Sequence, residues 1–276
     1  MQVAIVTGSS NGIGFATSVL LARNNIYTYA SMRNLAKAKA IEEIAKKENL
    51  PLHAIQLDVI DDRSVKDAVN KVLDEKKRID VLVNNAGYGL MGCLEDLSME
   101  EVKVQFETNL FGVIRVTQAV LPAMRRQNHG IIVNVSSIAG RIGFPVTPGY
   151  ISSKFALEGL SESMRYELEP FGIKAVIVEP GAVRSNFINA MALAKKASDP
   201  NSPYAQLTQK VGAGLKLLLE HGTHPDEVAK AILKAVTAEN PEPRYVVGND
   251  AAMIMEARNK MSDTEFEQFM KKELIQ

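Results

Sequence analysis

The chain has 276 residues, 46% of them apolar and 23% charged, and 32 Lys and Arg are matched by 32 Asp and Glu. That neutrality speaks against a dedicated nucleic-acid binder or a polybasic membrane anchor, both of which carry a basic excess. The single cysteine, Cys93, excludes an intramolecular disulfide and suits a reducing compartment; no run of about 18 apolar residues predicts a membrane span, and the opening MQVAIVTGSS lacks the basic segment and cleavage site of a secretory signal. A cytoplasmic protein of one large domain or two small ones is the expectation.

Taken in order, residues 2–7 form an apolar run that ends at a glycine turn, as a parallel strand buried on both faces would. Helix-like segments at about 12–24, 34–48 and 62–77 alternate with strand-like runs at about 26–31, 52–57 and 80–84. Long helical stretches at 99–127 and 150–171 flank a strand at 130–136, and further strands are expected at 173–179 and 244–248. Strands alternating with helices predict βαβ units with right-handed crossovers. The expected fold is α/β: a single doubly wound domain with a seven-stranded parallel sheet and helices on both faces. The stretch 185–222 holds Pro200, Pro203, Gly212, Gly214 and Gly222, and an insertion of this length is expected to be a lid or binding loop. A helix begins near Pro225, and the tail 249–276 is expected to be helical around Asp263–Leu274.

The first strand runs into Thr7-Gly8-Ser9-Ser10-Asn11-Gly12-Ile13-Gly14 at the start of a helix. Glycines allow a sharp turn and close approach to a phosphate, and a helix N-terminus offers free N–H groups to it. Gly8, Ser10, Asn11, Gly12, Ile13 and Gly14 are therefore candidates for a dinucleotide pyrophosphate. The alternative is a strand-to-helix turn with no ligand, since the spacing is G-x-x-x-G-x-G and not the commoner G-x-G-x-x-G. The second strand ends Tyr29-Ala30-Ser31-Met32-Arg33-Asn34 without the acid that would bond a ribose 2′-OH. Arg33 suits a 2′-phosphate instead, so NADP(H) is preferred with NAD(H) possible, against the plainer reading of a solvated arginine.

Tyr150 and Lys154 are four apart, on one face of a predicted helix. An ammonium beside a phenol lowers the phenol's pKa and suits it to proton transfer near neutrality. The pair alone is common on helix surfaces. Here Ser137 lies thirteen residues earlier at a strand end, Asn84-Asn85-Ala86-Gly87 and Asp58-Val59 end two other strands, Asn109 sits in a helix, and Pro180-Gly181 ends the sixth strand. All these groups fall at the carboxyl edge of the predicted sheet, where open α/β sheets bind ligands.

TGSSNGIG, LDV, NNAG, Asn109, NVSS, YISSK and PGAV, in that order and spacing, identify a resemblance to the short-chain dehydrogenase/reductase family over at least residues 2–248. The chain looks most like its hydroxysteroid and retinol dehydrogenase type. The resemblance implies a Rossmann-type oxidoreductase moving a hydride between nicotinamide and a ketone, aldehyde or secondary alcohol. It implies Tyr150 as general acid/base and Lys154 as the group that bonds the nicotinamide ribose and lowers the tyrosine pKa. Ser137, in preference to Ser136, would hold the substrate oxygen, and Asn109 a water in a proton relay. Asp58 and Val59 would contact adenine; Asn85, Ala86 and Gly87 would line the adenosine side; Pro180, Gly181 and Val183 would meet the nicotinamide amide. The helical stretches 99–127 and 150–171 resemble those through which the family forms homodimers or homotetramers, and the tail could cover one interface and leave a dimer.

The lid supplies Phe187, Ile188, Met191, Leu193, Tyr204, Leu207, Val211 and Leu215, with Met91, Leu94, Ile142 and Phe144 as possible facing residues. An apolar substrate is the expectation, against simple helix packing. His53, His129, His221 and His224 form no ligand set, so no metal is expected. Cys93 reads as packing, and Asp61-Asp62 as a helix cap. Two alternatives remain at this point: a 3-oxoacyl-carrier-protein reductase, which wants a basic docking patch, and a non-catalytic NADP-binding sensor.

Overall fold

The computed structural model describes residues 1–185, 187 and 191–274. Its strands are β1 (Val3–Val6), β2 (Tyr27–Met32), β3 (Leu52–Gln56), β4 (Val81–Asn84), β5 (Leu90–Met91), β6 (Gly130–Val135), β7 (Ile173–Pro180), β8 (Ala192–Leu193) and β9 (Arg244–Val247). Seven of them form one parallel sheet in the order β3-β2-β1-β4-β6-β7-β9, as the alternation predicts. The order reverses between β1 and β4, and that switch point opens a crevice at the carboxyl ends of the strands.

The helices are α1 (Gly12–Arg23), α2 (Lys39–Glu48), α3 (Asp62–Lys76), α4 (Met99–Phe106), α5 (Gly112–Gln127), α6 (Pro148–Leu168), α7 (Ala205–Glu220), α8 (Pro225–Thr237), α9 (Asn249–Lys260) and α10 (Asp263–Leu274). Two cores explain why the strands read as unbroken apolar runs. Ile5, Leu82 and Ile132 face one side, against Val69, Val120 and Met124 of α3 and α5. Their neighbours Val6, Val83 and Val133 face the other, against Leu21 of α1 and Val228 and Ile232 of α8. Both faces of the central strands β1, β4 and β6 are dry, so those strands lack alternation with exposed residues, whereas the edge strands β3 and β9 are partly exposed.

Three local departures have physical causes. Residues 35–37 form a 3-10 turn in place of the first helical turn, because the Asn34 side chain accepts from the Ala36 N–H and caps there. The predicted helix 99–127 is interrupted by a π turn over Glu107–Phe111, a rare insertion that concentrates at functional sites. The tail holds a helix, α9, ahead of the expected one; Gly248 at φ +111° turns the chain into it. Asp61 caps α3 by accepting from the Arg63 and Ser64 N–H groups, as predicted. Among the described residues no helix is long and apolar enough to cross a membrane.

Candidate active site

The glycine loop is fixed by its neighbour across the switch point. Thr7 donates its N–H to Val83 O, and its hydroxyl accepts from the N–H groups of Asn85 at 2.9 Å and Ala86 at 3.0 Å. The Asn85 amide donates to Thr7 O and Gly8 O. Gly8 has φ +69° and Gly12 φ +58°, conformations costly for other residues. Gly14 is required for space: a Cβ there would lie 2.5 Å from Gly8 O and from Asn85 Nδ2. Asn85 thus builds the loop from beneath, and its side chain is committed to carbonyls and not turned to an adenosine.

The N-terminus of α1 carries no side-chain cap and no acid in its first turn. Its leading N–H groups are open to an anion, and the dipole favours one. Ser10 is half-buried and Asn11 exposed at the rim, with Gly12 and Ile13 half-buried behind them. Ser185 comes within 3.3 Å of where a Gly12 Cβ would be. A cavity of about 470 Å³ adjoins the loop, lined by Gly12, Phe15, Ala16, Arg184, Ser185, His224, Pro225 and Asp226.

Arg33 is exposed at the end of β2, and its guanidinium has no partner among the described residues. The adjacent strand end brings Asp58 beside it: Leu57 N–H donates to Met32 O, Asp58 accepts from the Ile60 N–H, and Val59 is buried against Gly112. The loop, a free arginine and two strand ends therefore form one cradle.

The catalytic candidates converge at the ends of β6 and β7. Ser137 lies beside the Tyr150 hydroxyl, donates to Pro180 O at 3.3 Å and accepts from the Ala139 N–H. Lys154 is buried and donates from Nζ to Val135 O at 2.9 Å. The expected lowering of the tyrosine pKa is not present in this geometry. Burial pushes Tyr150 up to about 12, opposed by the Ser137 hydroxyl. The ammonium is engaged with a carbonyl and lies 5.9 Å from the ring centroid. Burial lowers Lys154 itself to about 8, against the pull of the Glu158 carboxylate.

Asn109 sits in the π turn, buried, and both ends of its side-chain amide are engaged. Its amide donates to Tyr88 O and Ser153 Oγ, and its carbonyl oxygen accepts from the Tyr88 N–H. It pins the segment after β4 to the π turn. Gly87 fits against it, 3.1 Å from Oδ1 at its absent Cβ. Ser136, the neighbour of Ser137, points away into a buried cluster with Glu158. There Arg244 binds Glu158, Glu162 and Glu179.

The segment expected to be a lid is tied down at several points, one of them the Lys195 N–H, which donates to Glu101 at 2.9 Å. β5 pairs with β8, Ser202 donates to Asp96, and the Tyr204 hydroxyl donates to Glu95 at 2.9 Å. Phe187 tilts onto Tyr150 with centroids 6.0 Å apart, and Met191 and Phe187 close on Gly89. Leu207, Val211 and Leu215 form a half-buried stripe on α7, and Met91 reaches Gly212. Leu94 does not face the lid; it is 75% exposed. Ile142 and Phe144 do not either, because Met255, Phe266 and Met270 of the tail cover them. Ile188 lies outside the described residues.

Sequence reading missed Thr7, Ser185 and Asp250. Thr7 has a local signal, a hydroxyl directly before Gly8. Ser185 has a weaker one, two residues past Val183. Asp250, which accepts from the Ala182 N–H at 2.7 Å, has none, since it comes 68 residues later in the chain.

The profile of the family described as short chain dehydrogenase matches residues 2–197. An uncharacterized oxidoreductase of Bacillus subtilis, YusZ, is 39% identical over 279 residues, covering 99% of each chain. Human retinol dehydrogenase 8 is 36% identical over 88% of this chain and 80% of its own. A short-chain dehydrogenase from Streptomyces avermitilis superposes with a TM-score of 0.84 at 32% identity, over 99% of this chain and 97% of the other. With strand ends, glycine loop and Ser-Tyr-Lys cluster in one crevice, this chain belongs to the short-chain dehydrogenase family of oxidoreductases.

Proposed function

We infer that the protein is an NADP(H)-dependent oxidoreductase of apolar ketones, aldehydes or secondary alcohols, with residues 1–276 acting as one domain. The observation that carries the reading is the convergence at the sheet edge of Ser137, whose hydroxyl donates to Pro180 O, Tyr150 beside it, and Lys154, whose Nζ donates to Val135 O. When bound, the dinucleotide supplies or accepts the hydride. The chain's own groups hold the substrate oxygen and move its proton.

In reduction, the carbonyl oxygen takes the place of Pro180 O as acceptor of the Ser137 hydroxyl, a long contact in this structure. Tyr150 then donates its proton to that oxygen as the charge develops, and the two hydroxyls clamp it. Lys154 uses one of its three donors on Val135 O and keeps the others for a ribose. Oxidation runs the same path backwards and needs the Tyr150 phenolate.

Arg33 and the acid-free end of β2 favour NADP(H), and two solved relatives at 28% and 26% identity hold 5-hydroxy-NADP and NADP. The Phe187, Met191 and α7 surface favours an apolar substrate, in keeping with the retinol and hydroxysteroid relatives. Val104, Phe111, Phe155 and Tyr166 stay exposed on the helical stretches 99–111 and 148–168, which supports a homo-oligomer built through those faces. A panel of long-chain and polycyclic ketones, followed by NADPH oxidation, tests the reading. Turnover confined to polar substrates defeats the apolar assignment. Tight NADPH binding with no turnover of any carbonyl replaces the enzyme by a sensor.

A further inference from the structure

The turn after β7 carries Pro180, Gly181 and Val183, the residues assigned above to the nicotinamide. Backbone bonds tie it on two sides: Gly181 N–H donates to Val247 O at 3.0 Å, and Thr223 N–H donates to Ala182 O at 2.8 Å. On the third side Ala182 N–H donates to a side chain, Oδ2 of Asp250, at 2.7 Å. The carboxylate fills the space beside the turn. A Cβ on Gly181 would lie 2.2 Å from Oδ2 and 2.5 Å from Oδ1. Gly181 is not among the glycines of positive φ, so the backbone does not demand glycine there; Asp250 does. Gly248 clears the other side, where a Cβ would lie 2.6 Å from Oδ1.

Asp250 stands in the first turn of α9, where the helix dipole favours its charge. The next residue, Ala251, is fully buried and packs with Met255 on Ile138 and Ile142. Those residues follow Ser137, whose hydroxyl donates to Pro180 O. The chain therefore closes a ring: serine loop to turn, turn to Asp250, and the helix of Asp250 back to the serine loop.

On the functional reading above, we propose that Asp250 is a positioning residue, outside the stretch that defines the family, which sets the height of the Pro180–Val183 turn against Ser137 and so aligns the nicotinamide half of the cofactor. The adenosine half rests on Gly8–Gly14 and Arg33, none of which Asp250 touches. Loss of the carboxylate frees a backbone N–H and opens a gap beneath Gly181, and the turn relaxes away from the serine.

The test compares Asp250→Ala and Asp250→Asn in the full chain, with NADPH and 2′,5′-ADP titrated calorimetrically and kcat and KM measured beside them. Loss of one hydrogen bond to a charged group predicts that Asp250→Ala weakens NADPH about tenfold or more. Affinity for 2′,5′-ADP, which has no nicotinamide, should stay within about twofold, and kcat should fall. Asp250→Asn keeps an acceptor oxygen for the Ala182 N–H and should recover most of both losses. Where Asp250→Ala does not fold, Gly181→Ala presses the same contact from the other side and should give the same split between the two ligands. Equal weakening of both ligands overturns the proposal, as does no weakening, or an Asn variant as poor as the Ala variant. A wild type that binds neither ligand overturns the NADP(H) reading and this inference with it.

Discussion

The two halves of the crevice are built by different means. The proposed cofactor half, from Thr7 to Asp58, is held on main-chain groups: Thr7 N–H on Val83 O, Leu57 N–H on Met32 O, the Thr7 hydroxyl and Asn85 amide bonded to loop backbone, and Gly14 pressed against Gly8 O. The substrate half hangs on side chains and two-residue pairings: Tyr204 on Glu95, Ser202 on Asp96, and β5 against β8. A backbone cradle accepts no change of volume, whereas a side-chain tether can be exchanged one group at a time. The first half suits an invariant ligand, and the second a substrate that differs between relatives.

Substitutions can break or sharpen that contrast. Tyr150→Phe should have the largest effect, a fall in kcat of about 10³-fold or more, since it removes the acid/base itself. NADPH affinity should survive; persisting turnover would falsify the proton path. Gly14→Ala comes next: overpacking of this kind costs about 1–3 kcal/mol, and dinucleotide binding should fall with the melting temperature in one calorimetric series. Arg33→Ala should raise KM for NADPH about tenfold or more, by loss of charge-assisted bonds, and leave KM for NADH nearly unchanged. An equal rise with both cofactors would remove the case for the 2′-phosphate. The smallest effect belongs to the lid. Tyr204→Phe removes one exposed tether worth about 1 kcal/mol, so KM should shift a few-fold with kcat and dinucleotide binding intact.

Lys154, the proposed partner of Tyr150, lies between the halves, and its burial has a thermodynamic sign. Burial lowers Lys154 to about 8 in the folded chain, against about 10.4 for a free lysine. Between those values the unfolded chain binds more protons, so the contribution to stability rises with pH across that window and is unfavourable below it. Lys154→Met should melt higher than wild type near pH 7, with the advantage shrinking toward pH 10. A wild type that melts higher at every pH would mean that the bond to Val135 O outweighs the buried charge. The tyrosine, raised to about 12, stays protonated through neutrality. Alcohol oxidation should therefore climb with pH from 6 to 9, and carbonyl reduction should show no such climb.

Much of this was legible in the residues because the cradle is local. The spacing of Gly8, Gly12 and Gly14 encodes its own turn, and the missing acid before Arg33 is visible at the end of one strand. Tyr150 and Lys154 share a helix face by arithmetic. Their electrostatics were not legible: the direction of the tyrosine shift depends on what buries the ring, including Phe187 from the lid, and on the carbonyl that engages Lys154. Leu94, Ile142 and Phe144 were misplaced for a related reason. Apolar residues at helical or loop spacing announce that they will be covered, and not by what; a tail more than 100 residues later took two of them, and solvent took the third.

What the sequence by itself determined was the doubly wound sheet, its seven strands and the glycine loop, since hydrophobic periodicity and glycine placement act within a few residues of one another. The tertiary structure alone decided which groups meet across the crevice. Asn85 turned beneath the loop and Asn109 onto Tyr88, because their amides found carbonyls that only folding brings near. Asp250 came to lie against Gly181, and no local pattern ties two residues 69 apart; that contact depends on β7 and β9 becoming neighbours in the sheet.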